Sequence, residues 1–166
     1  MVISLCLPAG AATPATQIDH IILGINDLDQ GMASFEQLTG VRPVYGGKHP
    51  GGTHNALVSL GDGLYLEIIA ILTDATPPDF LAGLKGLRTL TPVGWAVAST
   101  DSAEIRRSMD AAGIPLTEPS AGSRATPDGA TLSWQTLELQ KKFDEAPFFI
   151  VWGAQSPHPS KTSPTG

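Results

Sequence analysis

One cysteine, Cys6, is the only thiol in this chain of 166 residues. An intrachain disulfide is therefore excluded, and so is a zinc site built on cysteines. Charge is sparse as well. Only 16% of the residues are Asp, Glu, Lys or Arg, and ten basic residues against sixteen acidic ones give a net charge of -6. Binding a phosphate backbone needs a clustered basic surface. The nearest approaches to one are Arg106-Arg107 and Lys141-Lys142, and both pairs read as solvated surface. Nucleic acid is thus not an expected partner. No apolar run reaches the ~20 residues that cross a bilayer, so no membrane helix is expected. No Gly-Lys-Ser/Thr follows the glycines at 46, 47, 51 and 52, which excludes a P-loop. Ser34, Ser59 and Ser133 lie in no nucleophile elbow, which argues against a hydrolase triad.

Turn chemistry, by contrast, is plentiful. Eighteen glycines and fourteen prolines imply short elements and many turns. A hydrophobic fraction of 42% suits one globular unit, or two small halves sharing a core. Residues 1–16 open with an apolar stretch ending in small residues, Met1 to Ala12. They lack a basic start, and Pro8 cuts the apolar run below the usual 7–15 residues of an export signal. A frayed leader or a signal remnant is expected there, with a cytoplasmic location and export as its alternative.

The pattern of elements begins at residue 17. Residues 18–25 are rich in β-branched residues and read as a buried strand. Asn26-Asp27 is an N-cap, and Leu28, Met32, Phe35 and Leu38 recur at helical spacing, so these four are expected to pack on the sheet. Gly40 is the stop signal. A short edge strand at 41–45, a glycine-rich loop at 46–52, strands at 54–60 and 64–71 and a hairpin turn at 61–63 complete a βαβββ unit. A connector follows at 73–92. The sequence then restarts: a strand at 92–99, a cap at Thr100-Asp101, a helix to about Ala112, and closing strands at 131–138 and 146–152. Laying Gly24-Ile25-Asn26-Asp27 on Ala98-Ser99-Thr100-Asp101 makes the repeat visible, and a repeat implies a fold built by duplicating one unit. The Pro/Ser/Thr-rich residues 154–166 are expected to have little structure of their own. The expected class is α+β: two βαβββ modules, 17–71 and 92–153, whose sheets pair around a cupped, barrel-like cavity.

Two polar residues stand out on the apolar strands. His20 opens the first strand and Glu67 interrupts Leu64-Tyr65-Leu66-Glu67-Ile68-Ile69. A buried carboxylate is costly unless paired, and strand alternation points both residues to one face. They read either as a divalent metal pair or, the favoured reading, as a metal-free polar pair. His54 is the candidate third ligand or catalytic group, and Asn55 beside it a candidate for orienting a ligand. Tyr65 shares the face of Glu67. Trp95, Trp134 and Trp152 could stack a flat ligand or fill the core. His49 and His158 are expected at the surface. On the aligned repeat, Gly94 stands where module one has His20 and Ile150 where it has Glu67, so module two supplies no ligand.

Several segments carry a resemblance: Ile18-Asp-His-Ile-Ile22, Gly51-Gly-Thr-His-Asn55, Gly61-Asp-Gly-Leu-Tyr-Leu-Glu67, Pro147-Phe-Phe-Ile-Val-Trp-Gly153 and His158-Pro-Ser160. In that order they resemble the glyoxalase-like domain proteins of the vicinal oxygen chelate superfamily, which includes glyoxalase I, extradiol dioxygenases and the fosfomycin and bleomycin resistance proteins. The resemblance covers residues 18–160. Related chains often continue past the His-Pro-Ser tail, which implies a shortened form here. It implies a small-molecule ligand in the cup. It also implies a divalent metal (Zn, Mn, Ni or Fe) on His20 and Glu67, with lyase, isomerase or dioxygenase chemistry and Glu67 as ligand or base. The bleomycin-binding relatives imply the other class, a non-enzymatic, metal-free binder. A homodimer is compatible with either.

Overall fold

The computed structural model describes residues 16–61, 63–76, 79–140 and 146–163. The apolar leader, Asp62 of the hairpin turn, Pro77-Pro78 and Lys141-Lys142 lie outside the described residues.

Eight strands form one sheet. The first module contributes β1 (Gln17–Gly24), α1 (Leu28–Thr39), β2 (Val44–Lys48), β3 (Thr53–Gly61) and β4 (Leu64–Ile71). The second contributes β5 (Thr91–Ala98), α2 (Ser102–Ala111), β6 (Ser120–Ala125), β7 (Thr131–Leu137) and β8 (Phe148–Trp152). The strand order is β2-β3-β4-β1-β5-β8-β7-β6, so each half repeats the order of the other. β1 pairs with β4 in parallel, and β5 with β8 likewise, while β1 and β5 meet antiparallel. The repeat seen in the sequence is therefore a two-fold in space. It passes through the Ile21–Trp95 pair, with His20 opposite Ala96 and Ile22 opposite Gly94. The edges β2 and β6 come back together, because Arg124 Nη1 of β6 donates to the Gly46 carbonyl of β2. The sheet thus curls almost closed around a cup.

The same local chemistry builds each module. Asp27 caps α1 by accepting from the backbone N–H of Gln30, and Asp101 caps α2 from Ala103 and Glu104. Gly40, at φ 78°, ends α1 in the left-handed region that other residues enter at a cost. Each helix covers the outer face of its own half-sheet. Leu28 and Met32 pack with Ile25, Ala56, Ile68 and Ala70, joined by the half-buried Phe35 and Leu66. Ile105 packs with Leu116, Leu137 and Phe149. The inner face is left to form the cup.

Three expectations need correcting. Leu38 is 79% exposed, so the apolar face of α1 ends at Phe35. The edge strand lies at 44–48 rather than 41–45, and Gly46 and Gly47 belong to it rather than to a loop. β6 had no counterpart among the expected strands, since Ser120-Ala-Gly-Ser-Arg-Ala125 offers neither β-branched residues nor alternation. No helix among the described residues is long and apolar enough to cross a membrane.

Candidate functional site

The inner face of β1 carries the first part of the site. The β1–β5 register slips between Ile18 and His20, leaving Asp19 as an extra residue. Such a bulge re-aims side chains, and Asp19 and His20 turn toward each other. His20 Nδ1 lies 2.6 Å from Asp19 Oδ1. The other Asp19 oxygen accepts from Trp152 Nε1 at 2.9 Å and lies 3.1 Å from His158 Nε2. Burial alone would raise the Asp19 carboxyl. Hydrogen bonds from His158 and His20, the attraction of His20 and the Trp152 indole outweigh it and hold the group at about 2. Asp19 is thus a carboxylate at neutral pH, and a carboxylate only accepts. The hydrogen-bond network therefore assigns His20 the Nδ1–H tautomer and turns its Nε2 into the site.

Glu67 stands across from it. Its Oε2 is 3.7 Å from His20 Nε2, and its Oε1 accepts from Asn55 Nδ2 at 2.7 Å. His49 Nε2 is 3.9 Å from the same Oε1, and its Nδ1 lies 2.8 Å from Thr53 Oγ1. Burial lowers the His49 pKa, with Glu67 opposing. Tyr65 stacks on His20 at 4.6 Å, and burial, then Glu67, pushes its phenol well above the usual value. Asp19, His20, Asn55, Tyr65 and Glu67 are all under 7% exposed, so the cluster is shielded from bulk water.

Module two closes the cup with aromatic rings and one cation. With the Asp27 and Asp101 caps superposed, Ile22 maps onto Ala96. Ile22 pairs with Glu67 and Ala96 with Phe148. Phe148, not Ile150, therefore holds the place of Glu67, and its ring meets His20 edge-on at 5.6 Å. Trp134 and Trp152 lie 5.6 Å apart at a 58° tilt on the cup side, whereas a recess of about 540 Å³ lined by Ala121, Ser123, Ser133, Gln135 and Val151 opens on the other face of the same strands. The Trp134 ring reaches His49 at 6.1 Å. A Cβ at Gly122 would fall inside the Trp134 indole, so only glycine lets the ring lie over β6. Arg124, two residues on, is 6% exposed.

The sequence thus named His20, Glu67, Asn55, Tyr65 and Trp152, and the structure brings these five together. His54 does not join them. It alternates with Asn55, so it leaves the cup for the side of α1, where its ring meets Tyr45 at 6.2 Å. Trp95 sits opposite Ile21 rather than His20, which places it on the outer face. Four contributors were missed: Asp19, His49, Arg124 and His158. The signal in the sequence was that each of the two histidines precedes a proline, His49-Pro50 and His158-Pro159, and that His158 opens the His-Pro-Ser segment of the resemblance. Residues 154–163 are also more ordered than expected. His158 caps a 3₁₀ turn (Pro159–Lys161), Pro159 is buried, and Ser59 Oγ donates to the Ser160 carbonyl at 2.6 Å.

The residues do not make the metal site that the resemblance implies. Among the described residues no group of three or more His, Cys, Asp or Glu is arranged to hold a metal ion. One Glu67 oxygen is taken by Asn55, and module two offers Gly94 and Phe148 where two more donors would stand.

A model of the glyoxalase-like domain family matches residues 18–166. The fold is similar to that of a hypothetical protein from Staphylococcus aureus, at 20% identity and TM-score 0.70, over 89% of this chain and 63% of that one. The chain thus spans less than two thirds of that protein's length. It is similar also to methylmalonyl-CoA epimerase from Mycobacterium tuberculosis, at 16% identity and TM-score 0.57, over 87% of this chain and 90% of that one. A methylmalonyl-CoA epimerase in complex with methylmalonyl-CoA and NH4+ is similar at 16% identity and TM-score 0.56, over 86% and 99%. At these identities the likeness shows the fold alone. No curated protein matches the chain.

Proposed function

The chain belongs to the glyoxalase-like domain family, and from that premise we propose that its cup binds a small polar organic molecule between the Trp134 and Trp152 indoles and Glu67. One observation carries this reading: Glu67, His20, His49 and Asn55 converge in a shielded cluster that the Trp134 ring meets at His49 and the Trp152 indole at Asp19. A pocket with apolar aromatic walls and a few convergent polar groups has the composition of a small-molecule site. Each group has a defined task. Asn55 holds one Glu67 oxygen, which leaves Oε2 to accept a hydrogen bond or a proton from the ligand. Asp19 fixes His20 so that Nε2 faces the same space. Lyase or isomerase chemistry would use Glu67 as the base.

Metal-assisted chemistry is a second reading. The observation behind it is that His20 Nε2, in the tautomer Asp19 imposes, faces Glu67 Oε2 across 3.7 Å. The donor set does not fit a divalent ion, so no step is derived through one.

The test is a thermal-shift screen of wild type and Glu67→Gln against small hydroxy, oxo and amino compounds. Ligands that raise the wild-type melting temperature and lose at least tenfold in affinity with Glu67→Gln are expected. Ligands that bind both proteins equally would place the site elsewhere.

A further inference from the structure

Resting on that reading and naming the chemistry of its ligand, we propose that the cup takes a small monocarboxylate and that Arg124 is its counter-ion. Arg124 lies on the inner face of β6, next after Gly122 in the alternation and opposite Leu132. It is 6% exposed, yet among the described residues its one hydrogen bond runs from Nη1 to the Gly46 carbonyl. The arginines that do make ion pairs, Arg42 with Glu36 and Arg106 with Glu118, sit outside the cup. No such pair forms at Arg124 among the described residues. Glu67 and Tyr65 act on it only through space, and burial, the largest influence, lowers its pKa. A buried cation without a partner is costly. A guanidinium carries five N–H donors in a planar fork that matches a carboxylate edge to edge. Among the described residues, most of that fork is unused.

Charge and shape narrow the ligand further. Glu67 stands in the same cup, so a ligand with a single negative charge meets less repulsion from it than a phosphate dianion would. The indoles of Trp134 and Trp152 face the same cup, beside His49 and Asp19, and suit a flat apolar body. A planar acid would then lie with its ring on the indoles, its carboxylate on Arg124 and its remaining polar group toward Glu67.

The test compares matched probes: benzoate with benzamide, 2-oxobutyrate with its primary amide, and phenyl phosphate. Dissociation constants are read by saturation-transfer NMR at pH 7.5 for wild type, Arg124→Gln and Arg124→Lys. The acids are expected to bind wild type at least tenfold more tightly than their amides. Arg124→Gln should bring the acids down to the level of the amides. Arg124→Lys, which keeps the charge but loses the fork, should fall between and serves if the glutamine variant fails to fold. Amides that bind wild type as well as the acids do, or a phosphate that binds most tightly, would overturn the proposal and leave the cup as a site for other ligands. If no probe of either series binds, the proposal and the reading of the cup fail together.

Discussion

Asp19 shows how much one residue arranges here. Its carboxylate takes hydrogen bonds from His20, Trp152 and His158, so it ties β1 to β8 and to the C-terminal segment while setting the tautomer of His20. Its pKa of about 2 lies below the ordinary 3.8. The folded state therefore binds fewer protons than the unfolded state between those values. The stabilisation is complete above about pH 4 and is lost as the pH falls through 2. A shift of nearly two units corresponds to about 2 kcal/mol. Asp19→Asn should cost about that much in urea denaturation at pH 7, with the gap between variant and wild type closing toward pH 2; a gap independent of pH would contradict the assigned role. None of this was legible in the sequence, where Asp19 looks like a strand-start residue. The bulge that turns it inward depends on pairing with Ala96 and Val97 of β5, far along the chain. His20 and Glu67 were legible, because a polar side chain on an apolar strand calls for a partner. His54 misled because a histidine at a strand start carries no mark of which way the strand faces.

At the scale of elements, the caps and the repeat were the dependable signals. Asp27 and Asp101 cap as their positions suggest, and the parallel pairs β1–β4 and β5–β8 follow from duplication. β6 escaped and β2 was placed three residues early, because glycine and small polar residues read as loop. Gly46 and Gly47 in β2 and Gly122 in β6 serve close contacts across the sheet, which a single sequence does not display. The face of α1 offers a direct comparison. Met32, inside the core cluster, should cost about 2–5 kcal/mol when replaced by alanine. Leu38→Ala should change stability by less than about 0.5 kcal/mol, as an exposed position does. Chemical denaturation of the pair checks the register of the helix, and equal losses would show it rotated. Phe35, half-buried, should fall between them.

At the scale of the whole molecule, the two modules are equivalent in topology but not in chemistry. Module one brings the carboxylate, the imidazoles and the carboxamide, and module two brings the indoles, Phe148 and Arg124. The cup therefore exists only where both halves meet. The C-terminal segment completes it, with His158 on Asp19 and Ser160 against Ser59. Removing residues 158–166 should expose the Tyr65 end of the cup. Hydrogen exchange would then speed up in β3 and β4 relative to α2, whereas unchanged exchange would mean that the segment contributes nothing to closure. The central claim is that a small polar molecule binds between the indoles and Glu67. The three tryptophans test it most directly, since the Trp134 and Trp152 rings lie on the cup side, at His49 and Asp19, while Trp95 lies on the opposite face of the sheet. In 15N-labelled protein titrated with the small polar ligands described above, the indole N–H signals of Trp134 and Trp152 should shift saturably while that of Trp95 stays in place. Shifts at Trp95 alone, or none at any indole across the whole set, would contradict it.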